Sequence, residues 1–230
     1  MTASKRTAIA AILLFATGAG SALPGEENLV QNAQASQNGQ AYAQTGIEGV
    51  VRRHYTEAFP YSEIHRFGPS AAPQLAAMLG DPAEREYWSN IASAIGIVGG
   101  PNAAETLIGF VDANSGRTLD GNAYRAALAA VMALGLVANG GDMQALNYLL
   151  AAARRMSEAS TPAADLRLEP SAVGVQAILG LGLSAKPEAR AFLEDLTRSS
   201  DAQLRERAAE ALRVNRIVSR TGLAAYFARR

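Results

Sequence analysis

IGIVGGPNAAETLIGFV at residues 95–111 and LGLVANGGDMQALNYLL at residues 134–150 read as one phrase written twice. Laid over each other without a gap, they place Gly96 on Gly135, Val98 on Val137 and Leu107 on Leu146. Each has an apolar run, a break of Gly, Asn or Pro, and then apolar residues at helical spacing. That is the pattern of two helices joined by a tight turn. A third copy, LGLSAKPEARAFLEDL from Leu181, supplies Gly182 and Leu193. Upstream, GPSAAPQLAAML from Gly68 matches GPNAAETLIGFV from Gly100, with Pro69 on Pro101 and Leu75 on Leu107. Downstream, LRERAAEALR from Leu204 ends on Arg213, where the other copies carry glycine. The pivots are therefore residues 96, 135, 182 and 213. A single helix pair cannot bury its own apolar stripe, so such copies must stack to share a core.

The run LRERAAEALR resembles the second helix of a HEAT-like repeat of the short, phycobilisome-lyase type, and GPSAAPQLAAML resembles the first helix of such a unit. The resemblance spans about residues 68–213. It implies an all-α fold, a right-handed α-α superhelix (a HEAT/armadillo-like solenoid) of about four to five helical hairpins. The unequal pivot spacing predicts insertions at 112–122 (DANSGRTLDGN) and 157–170 (SEASTPAADLRLEP). Both fall between the two helices of a unit, so repeat logic puts both long loops on the same edge. Pro101 and Pro187 fit helix starts, where a missing N–H costs nothing. Pro73 falls inside an early turn. Ser200 followed by Gln203 reads as a capping box for the last inner helix. A helix over 47–59 is expected to cap the first repeat, and one over 217–227 the last.

The chain begins with export signals. Lys5 and Arg6 precede the apolar run AIAAILLFA at residues 8–16, and Gly20 and Ala22 suit the small positions of a cleavage site. Residues 1–22 are read as a signal peptide, 23–44 (rich in Gln, Asn, Ala, Gly and Ser) as a flexible low-complexity leader, and 45–230 as the HEAT-like repeat domain. The expected location is periplasmic or secreted, after cleavage near Ala22.

Composition narrows the function. Basic and acidic residues balance at 21 each, which argues against nucleic acid as a general partner. The hydrophobic share is 49% but aromatics are only 6%, so the apolar content is mostly Ala, Leu, Ile and Val, which favours close-packed helices. There is no cysteine, hence no disulfide, thiolate metal site or cysteine nucleophile. The two histidines, His54 and His65, are separated by Phe59-Pro60 and read as surface or turn residues rather than metal ligands. No G-x-S-x-G elbow occurs. The carboxylate pairs Glu84/Glu86, Asp112/Asp120 and Asp165/Glu169 sit beside Arg85, Arg117 and Arg167 and read as solvated charge pairs. No catalytic site, metal or cofactor is assigned.

What the sequence supports is an interaction scaffold binding a protein or peptide through a concave face or the loop-bearing edge. Trp88, the only tryptophan, opens the inner helix of the first unit. In the HEAT-like pattern that position normally faces the concave surface, and its equivalents are Ala127, Gly174 and Arg205. Asn90, Ala129 and Gln176 form a second row. Tyr87 is expected to pack in the core. Arg117 in the first long loop and Tyr124 just after it complete the candidate binding set of Trp88, Asn90, Arg117, Tyr124, Gln176 and Arg205. An alternative places Trp88 beneath the 112–122 loop. Two rivals to the scaffold are an envelope enzyme or enzyme subunit and a structural spacer. The basic stretch after Arg213 admits an anionic membrane surface but does not require one.

Overall fold

A computed structural model describes residues 46–55, 59–156 and 166–228. The residues read as a signal peptide and leader lie outside the described residues, as does most of the second expected insertion. The chain divides into two compact units, Met1–Pro60 and Tyr61–Arg230. The boundary falls within the stretch expected to form a single repeat domain from residue 45.

In the first unit, α1 (Ile47–Val51) is a single short helix rather than one reaching residue 59. Two β-branched residues, Val50 and Val51, end it. The Arg53 amide bonds Val50 O at 3.3 Å, a tightened last turn, and the Tyr55 hydroxyl donates to the same oxygen at 2.7 Å. Tyr55 also meets Phe59 edge to face, with centroids 5.2 Å apart.

Among the described residues the second unit is mainly helical and has no strand, only an isolated bridge between Thr118 and Arg167. Its helices are α2 (Tyr61–His65), α3 (Ala72–Gly80), α4 (Trp88–Val98), α5 (Ala103–Asn114), α6 (Gly121–Asn139), α7 (Met143–Met156), α8 (Pro170–Ser184), α9 (Pro187–Leu196) and α10 (Ala202–Phe227). Contacts sort them into two rows. The inner row runs α2, α4, α6, α8, α10, each helix packed on the next, and α10 also meets α2. The outer row runs α3, α5, α7, α9 in the same order. Each outer helix also packs on the inner helix that follows it. The central helix α6 is long and apolar enough to cross a membrane by length and composition, but it is packed by α4, α5, α7 and α8.

The pivot glycines are the crossing points of the inner row. A Cβ on Gly96 would lie 2.8 Å from Ala133 O and 2.9 Å from its Cα. One on Gly135 would lie 2.8 Å from Gly180 Cα and nearer still to its oxygen, and one on Gly182 would lie 2.8 Å from Ala211 O. Ala133, Gly180 and Ala211 each stand two residues before the next pivot. The same helix-on-helix register thus recurs three times. Only a residue without a side chain permits it, because main chain approaches main chain.

Helix starts follow local chemistry, with shifts. Pro187 opens α9 at its first position and Pro170 opens α8 in the same way. Pro73 sits in the first turn of α3, where it is tolerated. Pro101 lies two residues ahead of α5, which is preceded by Asn102. The cap of α10 is Asp201 rather than Ser200: its Oδ1 accepts from the amides of Gln203 at 2.8 Å and Leu204 at 3.2 Å. A carboxylate is favoured at a helix start by the macrodipole as well as by the hydrogen bonds. The expected capping helix over 217–227 does not start at residue 217: α10 passes through it unbroken and leaves helical geometry only at Gly222, beyond which a last turn reaches Phe227. The stretch RVNRIV after Arg213 carries no Gly or Pro to stop it.

The C-terminus of α8 is finished by its neighbours. Asn139 of α6 donates to Leu183 O at 3.2 Å and Ser184 O at 3.1 Å. Asn215 of α10, fully buried, donates to Leu181 O at 3.2 Å, and its Oδ1 accepts from Arg190 Nε at 3.3 Å. Carbonyls that a helix end leaves without intrahelical partners are thereby satisfied.

The described end of the second insertion, residues 166–168, pairs with the first insertion. The Gly116 amide donates to Leu168 O at 2.9 Å, Leu168 N to Arg117 O at 3.0 Å, and Leu119 N to Leu166 O at 3.0 Å. Leu168 is completely buried beneath this ribbon.

Candidate functional site

Accessibility along the inner helices keeps step with the pivots. Counting back from each pivot, the residues seven, six and three positions earlier are at least partly exposed in all four helices, joined in α4 by Trp88 and in α10 by Arg205 and Ala209. In α4 the three are Ser89, Asn90 and Ser93; in α6, Leu128, Ala129 and Met132; in α8, Val175, Gln176 and Leu179; in α10, Glu206, Arg207 and Glu210. Spacings of three and four residues place them on one face of each helix. The remaining faces of α4, α6 and α8 are held by the inner neighbours and the outer row. In α6 the open stripe continues one turn back through Tyr124 and Arg125, and in α8 through Ser171 and Ala172. Its floor is apolar at α6 and α8 (Leu128, Met132, Val175, Leu179). Hydroxyl and amide groups flank it at α4, and charges at α10.

This corrects the expected concave row. Trp88, Ala127 and Gly174 stand one residue away from the open stripe, a rotation of about 100° about the helix axis. They face the outer row. The Trp88 indole meets Phe110 of α5 edge to face at 5.4 Å, and its Nε1–H donates to Asp81 O at 3.0 Å. Ala127 is fully buried, and a Cβ on Gly174 would run into Met156 and Ala152 of α7. Arg205 is exposed, but its guanidinium donates to Ser199 O at 2.8 Å and Ser200 O at 2.7 Å, closing the turn after α9. Tyr87, expected in the core, is half-buried.

Trp88 belongs to a bracing cluster. Arg85 lies over its ring, 5.4 Å from the centroid, and pairs with Asp120 at 2.5 Å. Asp120 in turn caps α6, its Oδ1 accepting from Ala123 N at 2.8 Å. That hydrogen bond first, and the Arg85 charge with it, holds the Asp120 carboxyl below its usual range. Of the other carboxylates read as solvated pairs, Glu169 pairs with Arg167 at 2.8 Å, Glu84 is buried rather than solvated, and Asp165 lies outside the described residues. Asp112 accepts instead from the Tyr148 hydroxyl at 3.0 Å, and burial, reinforced by that carboxylate, raises the Tyr148 pKa.

Of the candidate binding residues, Asn90, Tyr124 and Gln176 lie on the open stripe. Trp88 is in the bracing cluster, and Arg205 in the α9–α10 turn. Arg117 is exposed in the loop ribbon, its guanidinium donating to Ala113 O at 3.3 Å. The apolar members Leu128, Met132, Val175 and Leu179 were missed. Counting from the pivot glycines, which fix the helix phase, would have found them. Comparison with family models, with curated proteins and with solved structures finds no match to this chain.

Proposed function

We propose that this chain is a HEAT-like repeat scaffold, exported from the cytoplasm, that holds a protein or peptide partner on the open face of its inner helices and catalyses no reaction. The observation that carries the reading is the in-phase stripe. Accessible positions that recur in α4, α6, α8 and α10 support a reading of the inner helices as stacked repeats, and a right-handed superhelix would turn that stripe into a concave wall. The floor of Leu128, Met132, Val175 and Leu179 suits apolar side chains presented at helical or extended spacing. Tyr124, Asn90 and Gln176 can then fix the partner's orientation through hydrogen bonds.

Position-dependent photocrosslinking tests it. A benzophenone amino acid at Met132 or Leu179 is expected to trap the same partner from an envelope fraction. The same group at Glu105 or Gln144, exposed on the outer helices, is expected to trap none. Equal trapping from both sets would sink the assignment of the face. Export is tested separately by the intact mass of the chain recovered from that fraction, which should lack the residues before about position 23.

A further inference from the structure

α10 does not finish as a plain helix. At Gly222 the backbone leaves helical geometry, with φ 77° and ψ 164°, a region that only glycine occupies without strain. A Cβ at Gly222 would meet nothing within 4 Å. Glycine is therefore needed there for the direction of the chain and not for room. The turn that follows carries Phe227 onto Tyr61 of α2, with centroids 4.8 Å apart and rings 16° from parallel. Tyr226 meets Phe227 edge to face at 5.3 Å and is itself buried. His65 stacks on Tyr61 at 5.5 Å. Since α2 packs on α4 at one end of the inner row and α10 on α8 at the other, this cluster of rings joins the two ends of the row.

We infer that residues 223–228 form a latch, hinged at Gly222, that ties the ends of the inner row together and sets how far the inner face opens to a partner. The inference rests on the inner-face reading proposed above. A clasp of a few ring contacts, in which Phe227 is only half-buried and Thr221, Gly222, Ala224 and Ala228 are exposed, opens more readily than the packed helices it joins, as a local opening does. Closed, it spans the row from α10 to α2. Open, it lets α4 and α10 move apart, and the stripe between them becomes accessible along its whole length.

The chain has no cysteine, so Tyr61→Cys with Phe227→Cys creates a unique thiol pair for the bridging reagent dibromobimane. Bridging should be efficient in that protein. Adding Gly222→Ala should lower it about tenfold, as the helix straightens rather than hold a side chain in that backbone region. In the cysteine-free protein, Gly222→Ala and, independently, Phe227→Ala should raise anilinonaphthalenesulfonate fluorescence several-fold at unchanged far-ultraviolet circular dichroism. Adding Met132→Ser and Leu179→Ser should return it to the wild-type level. Bridging that is indifferent to Gly222→Ala overturns the hinge. Dye binding that stays flat, or that ignores the serine pair, overturns control of the inner face. Failure of the inner-face reading alone would appear in the photocrosslinking as lost position dependence, with the bridging result intact.

Discussion

Gly135→Ala is the most direct probe of the inner row. The added methyl would sit 2.8 Å from Gly180 Cα and carbonyl carbon and closer to the oxygen, where real Cβ atoms do not come within 3.0 Å. All three obstacles are main chain, so no side chain can swing aside. α6 and α8 must separate by about 1 Å, and a gap of that size forfeits roughly a quarter to a half of each dispersion contact along the seam. Overpacking of this kind costs about 3 kcal/mol at the upper end of its usual range. Alanine's better helix propensity returns about 1 kcal/mol, leaving a net loss of about 2 kcal/mol. For a domain of this size that lowers the Tm by about 4–8 °C. Gly109→Ala is the control, because Gly109 is exposed inside α5 and a Cβ there meets nothing within 4 Å. It should raise stability by about 0.5–1 kcal/mol. Thermal and urea unfolding followed at 222 nm would read both. A Gly135→Ala protein as stable as the wild type would refute the close crossing, and with it the register that recurs at Gly96 and Gly182.

Trp88→Ala should lower stability by about 2 kcal/mol through lost packing on Phe110, while leaving crosslinks from Met132 unchanged; selective loss of those crosslinks would return Trp88 to the binding surface. Asn215→Leu removes the donor to Leu181 O and strands the Arg190 contact, so urea titration should reveal a loss of about 1–3 kcal/mol. Asp120→Asn keeps a competent cap but loses the charge pair with Arg85. The Asp120 pKa is depressed in the folded chain, so its carboxylate contributes stability above the unfolded carboxylate range, and that contribution disappears as pH falls through the folded value. The stability gap between wild type and Asp120→Asn should accordingly be present at neutral pH and close below about pH 4; a gap independent of pH would contradict the assignment.

The repeat was legible because its punctuation is chemical: Gly, Pro and Asn between apolar runs fix where helices stop. The phase of the helices was harder. α4 reads WSNIASAIGIV, and α6 and α8 are almost as uniformly apolar. A helix enclosed on three sides has little contrast between faces, so a slip of one residue, which turned Trp88 outward in the sequence reading, meets little resistance from the pattern. The pivot glycines carry the missing phase, since each must face the next inner helix. The shared position of the two insertions was readable from repeat logic, but their hydrogen-bonded pairing was not. Nor was the break at Gly222, because a single glycine within a helical run is commonly tolerated without a bend. Nothing in the sequence singles out Asn215, whose role depends on its place opposite the end of α8.

The ribbon between residues 116–119 and 166–168 bears on how the chain comes apart. Where helix pairs stack, each is stabilised mainly by the pairs beside it, so pairs can come apart one at a time. Here the second and third helix pairs carry an additional rivet, with Leu168 sealed beneath it. Those two pairs should behave as a single cooperative block, and an alteration in either long connection will be felt by both.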